Sequence, residues 1–432
     1  MAKYKWNDLS SKEMKKALMR SKQSIDPLVG TKVAEIINAI EHDGDIALKK
    51  FSKLYDDFDG DDYRVHSSII NGAYDKLNDS MVNAIESAWT QIYKFHDAQP
   101  DQDYNITTWS GVICSSVSKP IQQVGLYIPA GSAPLISTTM MLLVPAIIAC
   151  VPRIALFSPP DKNGNIHPAI LYVASKHEGI EVYKIGGAHA IAAMAYGTSS
   201  IPKVDKIFGP GNIWVTEAKR QISSRSCSVS IDMPAGPSEV MVIADQTANI
   251  DFVAADLLSQ CEHGGSSQAI LVTSSLEIFN TINTVIAKQL PALSRKEIIK
   301  ESLENIRIIF IADINDAINI INDYAPEHLI INTDNSDKIL ASVVNAGSVF
   351  MGPYSPETAG DYCSGTNHVL PTYGTAKSIS GLSVKDFKKT MLIQKISKNG
   401  LNNMYSCLNE LTKAEGLDAH MNAINVRLKN ES

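Results

Sequence analysis

The sequence predicts an α/β protein in which two βα regions follow one another. Three observations carry that expectation. From about residue 130, short apolar runs alternate with helical stretches, the pattern of βαβ units on a largely parallel sheet. The rhythm restarts after residue 237. At 432 residues the chain is also too long for one ordinary core, so two or more domains are expected.

The first hundred residues read as helices. Asp26-Pro27 offers an N-cap followed by proline at the first helical position, and Val33, Ile36, Ile37 and Ile40 share one face of a helix running to Gly44. The same periodicity predicts a helix over about Met81 to His96. Residues Ile106 to Ile128, rich in Val, Ile, Thr, Ser and Tyr, then read as strands. Met140 to Cys150 is too short to cross a bilayer and contains Pro145, so a buried core helix is expected. Further strands are predicted at Ile154 to Phe157, Glu181 to Ile185, Glu239 to Ala244, Ala269 to Thr273, Ile308 to Ile311 and His328 to Ile331, with helices between them. The tail after about residue 383 returns to helix.

Composition bounds the function. A hydrophobic fraction of 44% and a charged fraction of 20% are those of a globular protein, and a net charge of −7 without a basic cluster excludes nucleic acid as an expected partner. The N-terminus has no apolar signal core, and the greasy stretches predict no membrane span. Six cysteines are scattered without CxxC pairing. Together these features predict a cytoplasmic protein.

Several polar segments could carry chemistry. Phe208-Gly209-Pro210-Gly211-Asn212 sits at a strand-to-helix junction, where glycine admits an anionic ligand to backbone N–H groups, although alone it reads more simply as a tight turn. Met233 to Ser238 is similarly loop-like, and neither segment contains GxGxxG. Gln260 and His263 end a predicted helix three residues apart, so they share a face; a helix cap accounts for His263 equally well. Glu327 and His328 form a carboxylate–imidazole pair at a strand entrance, suited to acid/base work, though such a dipeptide is common. Gly352 to Gly374 reads as a long loop without helical or strand pattern, and such loops are usually functional. It carries Asp361, a candidate metal ligand, and His368, a candidate for a substrate carboxylate or alcohol. Glu415 and His420 read as a solvated helix face. Cys261 and Cys363 adjoin these clusters, where packing is the simpler reading than a thiolate nucleophile.

Taken together, GLYIPAGSAPLIST, KIFGPGN with VTEAKRQ, SIDMPAGPSEVMVIAD, LLSQCEHG, APEHLI, AGSVFMG, SPETAGDYCSGTNHVLPTYG and the final Glu415/His420 pair resemble the histidinol dehydrogenase family, from about residue 120 almost to the C-terminus. The resemblance implies two related, incomplete Rossmann-like domains, one inserted in the other, with small helical N- and C-terminal arms. It places an N-terminal arm at 1–22, a larger domain at 23–126 and 238–382, an inserted domain at 127–237 contributing the NAD site, and a C-terminal dimerisation arm at 383–432. It implies a four-electron, NAD-dependent oxidation of L-histidinol through the aldehyde to L-histidine. One zinc ion per subunit would be held by Gln260, His263, Asp361 and His420. His328 and Glu327 would act as bases. Ser238, Gln260, His263, His328, Asp361, His368, Glu415 and His420 would bind substrate, with Ser137 close by. Tyr127 and Asn212 match the family's NAD contacts. A homodimer is implied, with Glu415 and His420 serving the partner's site.

One position departs from the family: where Gln is common, this sequence has His189, so its contact with NAD is open. Two alternatives remain at this level, a zinc hydrolase and a non-catalytic dimeric binding protein on the same scaffold. The second predicts losses among Glu327, His328 and the zinc ligands, and none is lost.

Overall fold

The computed structural model describes residues 1–20, 27–101, 103–130, 134–233 and 236–429; Asp26 lies outside them. The strands in chain order are β1 (Ala2–Lys5), β2 (Tyr104–Trp109), β3 (Val112–Pro120), β4 (Gln123–Tyr127), β5 (Arg153–Ser158), β6 (Glu181–Lys184) and β7 (Lys206–Phe208). They continue as β8 (Ser230–Ile231), β9 (Glu239–Ala244), β10 (Gln268–Thr273), β11 (Arg307–Phe310), β12 (His328–Asn332), β13 (Ser348–Met351) and β14 (Lys388–Ile396). Two sheets are parallel throughout: six strands in the order β1-β11-β10-β9-β12-β13, and five in the order β6-β5-β4-β7-β8. A third, β14-β3-β2, is antiparallel.

The β9 sequence EVMVIA shows why the parallel sheets form. All six of its residues are buried. Val240, Val242 and Ala244 pack into one core with Val253 and Leu257 of the helix Ile250–Cys261. Met241 and Ile243 pack into another, with Ile320 and Tyr324 of the helix Ala317–Tyr324. An unbroken apolar run is what a parallel strand covered on both faces requires. In the five-stranded sheet, Val124 and Leu126 meet the buried helix Ile136–Ile148, while Ala155 and Phe157 face the opposite core.

The sequence-based expectations differ from the packing at three places. The helix Pro27–Asp43 places Val33, Ile36 and Ile37 in the same core as Phe157 and Tyr183, and Ile85, Ala88 and Ile92 of the helix Asp79–Asp97 join the core of Val124 and Leu126. Residues 27–97 therefore cover the five-stranded sheet rather than the 238–382 unit, because its two faces are what their apolar stripes bury against. Residues 2–5 form no separate arm, since β1 is an edge strand of the six-stranded sheet. The tail is not all helical: β14 pairs with β3 before the helices Lys398–Glu415 and Asp418–Lys429.

This topology points two sheet edges at one cleft. Ser238 and Glu327 stand at the amino ends of β9 and β12, and the helix carrying Gln260 precedes β10. Tyr127 ends β4, and the Gly209–Asn212 turn follows β7, both at carboxyl ends. Since β4 is flanked by β5 on one side and β7 on the other, the crevice at its carboxyl end is a topological switch point, the usual ligand position in such sheets.

Candidate active site

The Glu327–His328 pair is set by a tight exit from the helix Ala317–Tyr324. Ala325 caps it in the left-handed region at φ 53°, its N–H donating to the Ile321 carbonyl, and the chain turns through Pro326 into Glu327 and His328. Both side chains are read by the Glu239 backbone. The Glu239 N–H donates to Glu327 Oε2 at 2.8 Å, and His328 Nδ1 lies 3.2 Å from the Glu239 carbonyl oxygen. Because that oxygen only accepts, Nδ1 carries the proton and Nε2 is the free basic nitrogen. His328 Nε2 is buried with no hydrogen-bond partner. Arg20 holds Glu239 from behind, donating to its carboxylate and, at 2.7 Å, to the Tyr324 carbonyl.

Carboxyls crowd the imidazole. Glu327 Oε2 and Glu357 Oε1 lie 3.7 and 3.5 Å from His328 Nδ1, and Asp361 Oδ1 lies 3.7 Å from Nε2. Ionised, they would raise the histidine. Burial wins instead: it lowers His328 to about 3, lifts Glu327 and Glu357 well above the usual carboxylate range, and lifts Asp361 to about 6. His368 is lowered to about 4 by the same cause. A neutral imidazole and carboxyls tuned upward are the ingredients of general acid/base chemistry.

A group of possible cation ligands adjoins the pair. The donor atoms of His263, Glu357 and Asp361 all lie within 4.8 Å of one another. One helical turn before His263, Gln260 is fully buried with both amide atoms unpartnered. Such orphaned donors and acceptors are costly unless something else satisfies them, and N/O donors of this kind suit a divalent ion.

Of the sequence-predicted residues, Ser238, His263, Glu327, His328, Asp361 and His368 line one cleft, which Ser137 also lines. Glu415 and His420 do not line it; they lie exposed on the C-terminal helices. Tyr127 and Asn212 line an adjoining pocket with Asp56 and His189. Tyr127 is buried, its hydroxyl accepting the Gly187 N–H at 3.0 Å, and burial raises its pKa. Asn212 Oδ1 caps the next helix, accepting from the Trp214 and Val215 N–H groups. Gly209, at φ 118°, has no room for a side chain: a Cβ would meet the Tyr127 carbonyl oxygen at 2.1 Å.

Sequence reasoning missed Glu357, because residues 352–374 read as loop. They contain the helix Glu357–Tyr362, and the i, i+4 spacing of Glu357 and Asp361 was the available signal. The cysteines divide. Cys261 is buried, its thiol pushed up to about 12 by burial, as expected of a packing residue. Cys363 is exposed, so the packing expectation fails there because its loop faces outward.

These features define an α/β protein with a cleft between two parallel sheets, lined by groups suited to acid/base chemistry. Comparison with known proteins narrows the class. The family described as histidinol dehydrogenase matches residues 18–428. The histidinol dehydrogenase of Colwellia psychrerythraea is 47% identical over 427 residues, covering 99% of this chain and 98% of that one. That of Vibrio parahaemolyticus is 48% identical over 424 residues, covering 98% and 97%. The crystal structure of histidinol dehydrogenase from Elizabethkingia anophelis superposes with a TM-score of 0.94 at 44% identity, covering 99% of this chain and 98% of that one. The chain belongs to the histidinol dehydrogenase family, and its class is that of an oxidoreductase of histidine biosynthesis rather than a hydrolase or a binding protein.

Proposed function

We propose that the cleft oxidises L-histidinol through L-histidinal to L-histidine with two equivalents of NAD, in a homodimer whose cytoplasmic location follows from its biosynthetic role. The observation that carries the mechanism is the state of His328: protonated at Nδ1 by its contact with the Glu239 carbonyl, neutral, and free at Nε2 beside the carboxyl of Asp361.

His328 Nε2 takes the proton of the substrate alcohol as the carbon gives up its first electron pair. Glu327, held at Oε2 by the Glu239 N–H, takes a proton from the water that adds to the aldehyde, and its raised pKa makes it the stronger base once ionised. Two bases on adjacent residues thus serve two successive proton removals at one carbon. Ser238 and His368, which line the same cleft, position the substrate. Residues Gln260, His263 and Asp361 would hold zinc; His420, with Glu415 for the substrate, would reach the cleft from a second copy of the chain, in keeping with their exposure here. When bound, zinc supplies a Lewis-acid anchor that orients the imidazole and amino group of the substrate. NAD, against Tyr127 and Asn212, supplies the electron acceptor.

The test follows reduced nicotinamide and histidine in purified protein given L-histidinol and NAD. The expected outcome is two NADH per histidine, abolished by a chelator and restored by zinc. Activity that survives complete metal removal would overturn the zinc assignment, and no NADH from zinc-loaded protein would overturn the reaction.

A further inference from the structure

Pro145 stands inside the buried helix Ile136–Ile148, and a proline there is felt four residues earlier. It has no N–H, so it gives the Met141 carbonyl no helical hydrogen bond. A buried carbonyl without a donor is costly. Asn367 supplies the donor. Its Nδ2 donates to the Met141 carbonyl oxygen at 2.7 Å and comes within 3.3 Å of His96 Nε2, while its Oδ1 accepts the Val369 N–H at 2.9 Å. Since Oδ1 must face that N–H, the amide has one orientation, with its nitrogen toward Met141. Asn367 is buried, so water does not compete for these bonds.

Both ends of this clamp lead to the cleft. On one side, Asn367 and Val369 flank His368, whose Nε2 is buried without a partner. On the other, the helix Ile136–Ile148 carries Ser137 in its first turn, and Ser137 and His368 line the same cleft. The Val369 carbonyl is fastened too, by the Leu382 N–H at 2.9 Å. The backbone on either side of His368 is thereby tied down, and its imidazole is aimed with it.

Resting on the reading of His368 as a substrate-binding residue, we propose that Asn367 is a positioning residue for the reaction: it holds His368 in place against the helix of Ser137, through the Met141 carbonyl that Pro145 leaves open.

The test is a double-mutant cycle in the full-length assembled protein, read as KM for L-histidinol and kcat for the wild type, Asn367→Ser, His368→Ala and the double variant. A serine hydroxyl can still accept the Val369 N–H but is too short to reach Met141, so Asn367→Ser removes the clamp alone. It should raise KM by about tenfold, the upper end of what one hydrogen bond is worth, with kcat within about threefold of wild type, the pattern of lost substrate binding. In the His368→Ala background the same substitution should add nothing, because the group it positions is gone. Additive losses, or an unchanged KM in folded Asn367→Ser while His368→Ala is impaired, would overturn the proposal and leave Asn367 a packing residue. If Asn367→Ser does not fold, Pro145→Ala offers the Met141 carbonyl a competing helical N–H with Asn367 untouched. It should fold and raise KM to a smaller extent, again only when His368 is present; no change would overturn the proposal. Failure of the His368 reading is seen separately, as a His368→Ala protein with wild-type KM, and removes this proposal as well.

Discussion

The six-stranded sheet presents the amino ends of β9 and β12 to the cleft, whereas the five-stranded sheet presents the carboxyl ends of β4 and β7. The two edges are furnished differently. At the amino edge, His328 Nε2, His368 Nε2, the Glu357 oxygens and the Gln260 amide are buried without partners. At the carboxyl edge, several polar groups are already engaged: the Tyr127 hydroxyl by Gly187, Asn212 Oδ1 by a helix terminus, and Asp232 by the Gly209 N–H at 2.7 Å and the Lys219 ammonium. Unsatisfied, titratable atoms are what chemistry and metal binding need. A finished network of backbone and side-chain bonds is what a rigid ligand cradle needs. On the proposed function, one edge reacts and the other holds the cofactor.

If so, substitutions at the two edges should fail in different ways. The largest effect is expected at His328. His328→Gln retains a donor for the Glu239 carbonyl but loses the basic nitrogen, so kcat should fall by about 10²–10⁴ with the fold intact by circular dichroism. Glu327→Gln should spare the first oxidation in a single-turnover experiment and block the second. Equal loss of both half-reactions in that variant would remove the division of labour between the two bases.

The carboxyl edge should answer through stability. Lys219 and Asp232 form a buried pair, their side chains 3% and 2% exposed, and Lys219 also donates to the Gly209 carbonyl at 2.8 Å. Lys219→Met leaves Asp232 without its cation and frees the turn that Gly209 begins. Breaking a buried pair from one side costs about 3–5 kcal/mol, so denaturant unfolding should show a loss of that order. A stable variant with normal NAD affinity would break the contrast between the edges.

What the sequence revealed follows the same division. Strands such as Glu239 to Ala244 were legible because burial on both faces demands an unbroken apolar run. The pair Glu327-His328 was visible as a dipeptide, but its partners were not: the Glu239 backbone lies 88 and 89 residues away in sequence. Glu357 was hidden because six residues make less than two helical turns, too few for a periodic signal. The edge strand Ala2–Lys5, AKYK, alternates only partly buried positions and carries little apolar signature. The helix Pro27–Asp43 announced its apolar face clearly, yet nothing in an amphipathic stripe says which sheet it will cover. Distance along the chain hid the partners of the Glu327-His328 pair and of the helix Pro27–Asp43, and weakness of the local pattern hid Glu357 and the edge strand.

The smallest effect is expected at His189, where the family resemblance leads one to expect Gln and where the contrast can be sharpened. Its side chain is almost fully buried, and its Nε2 lies 3.0 Å from Asp56 Oδ2, an oxygen that also accepts the Gly186 N–H at 2.8 Å. The carboxylate accepts, so Nε2 carries a proton and the ring is tied to the loop entering the helix Gly187–Tyr196. Nδ1 is buried and unpartnered, the one exception among the engaged groups named for this edge. His189→Gln can keep the donor to Asp56 through its amide nitrogen and would exchange only the remaining acceptor. A single hydrogen bond is worth about 0.5–1.5 kcal/mol net, so the NAD dissociation constant, by calorimetry, should move by less than about tenfold or improve, with kcat preserved. A hundredfold loss would mean that the imidazole itself grips the cofactor, and the carboxyl edge would then contain a reactive atom of the kind otherwise confined to the amino edge.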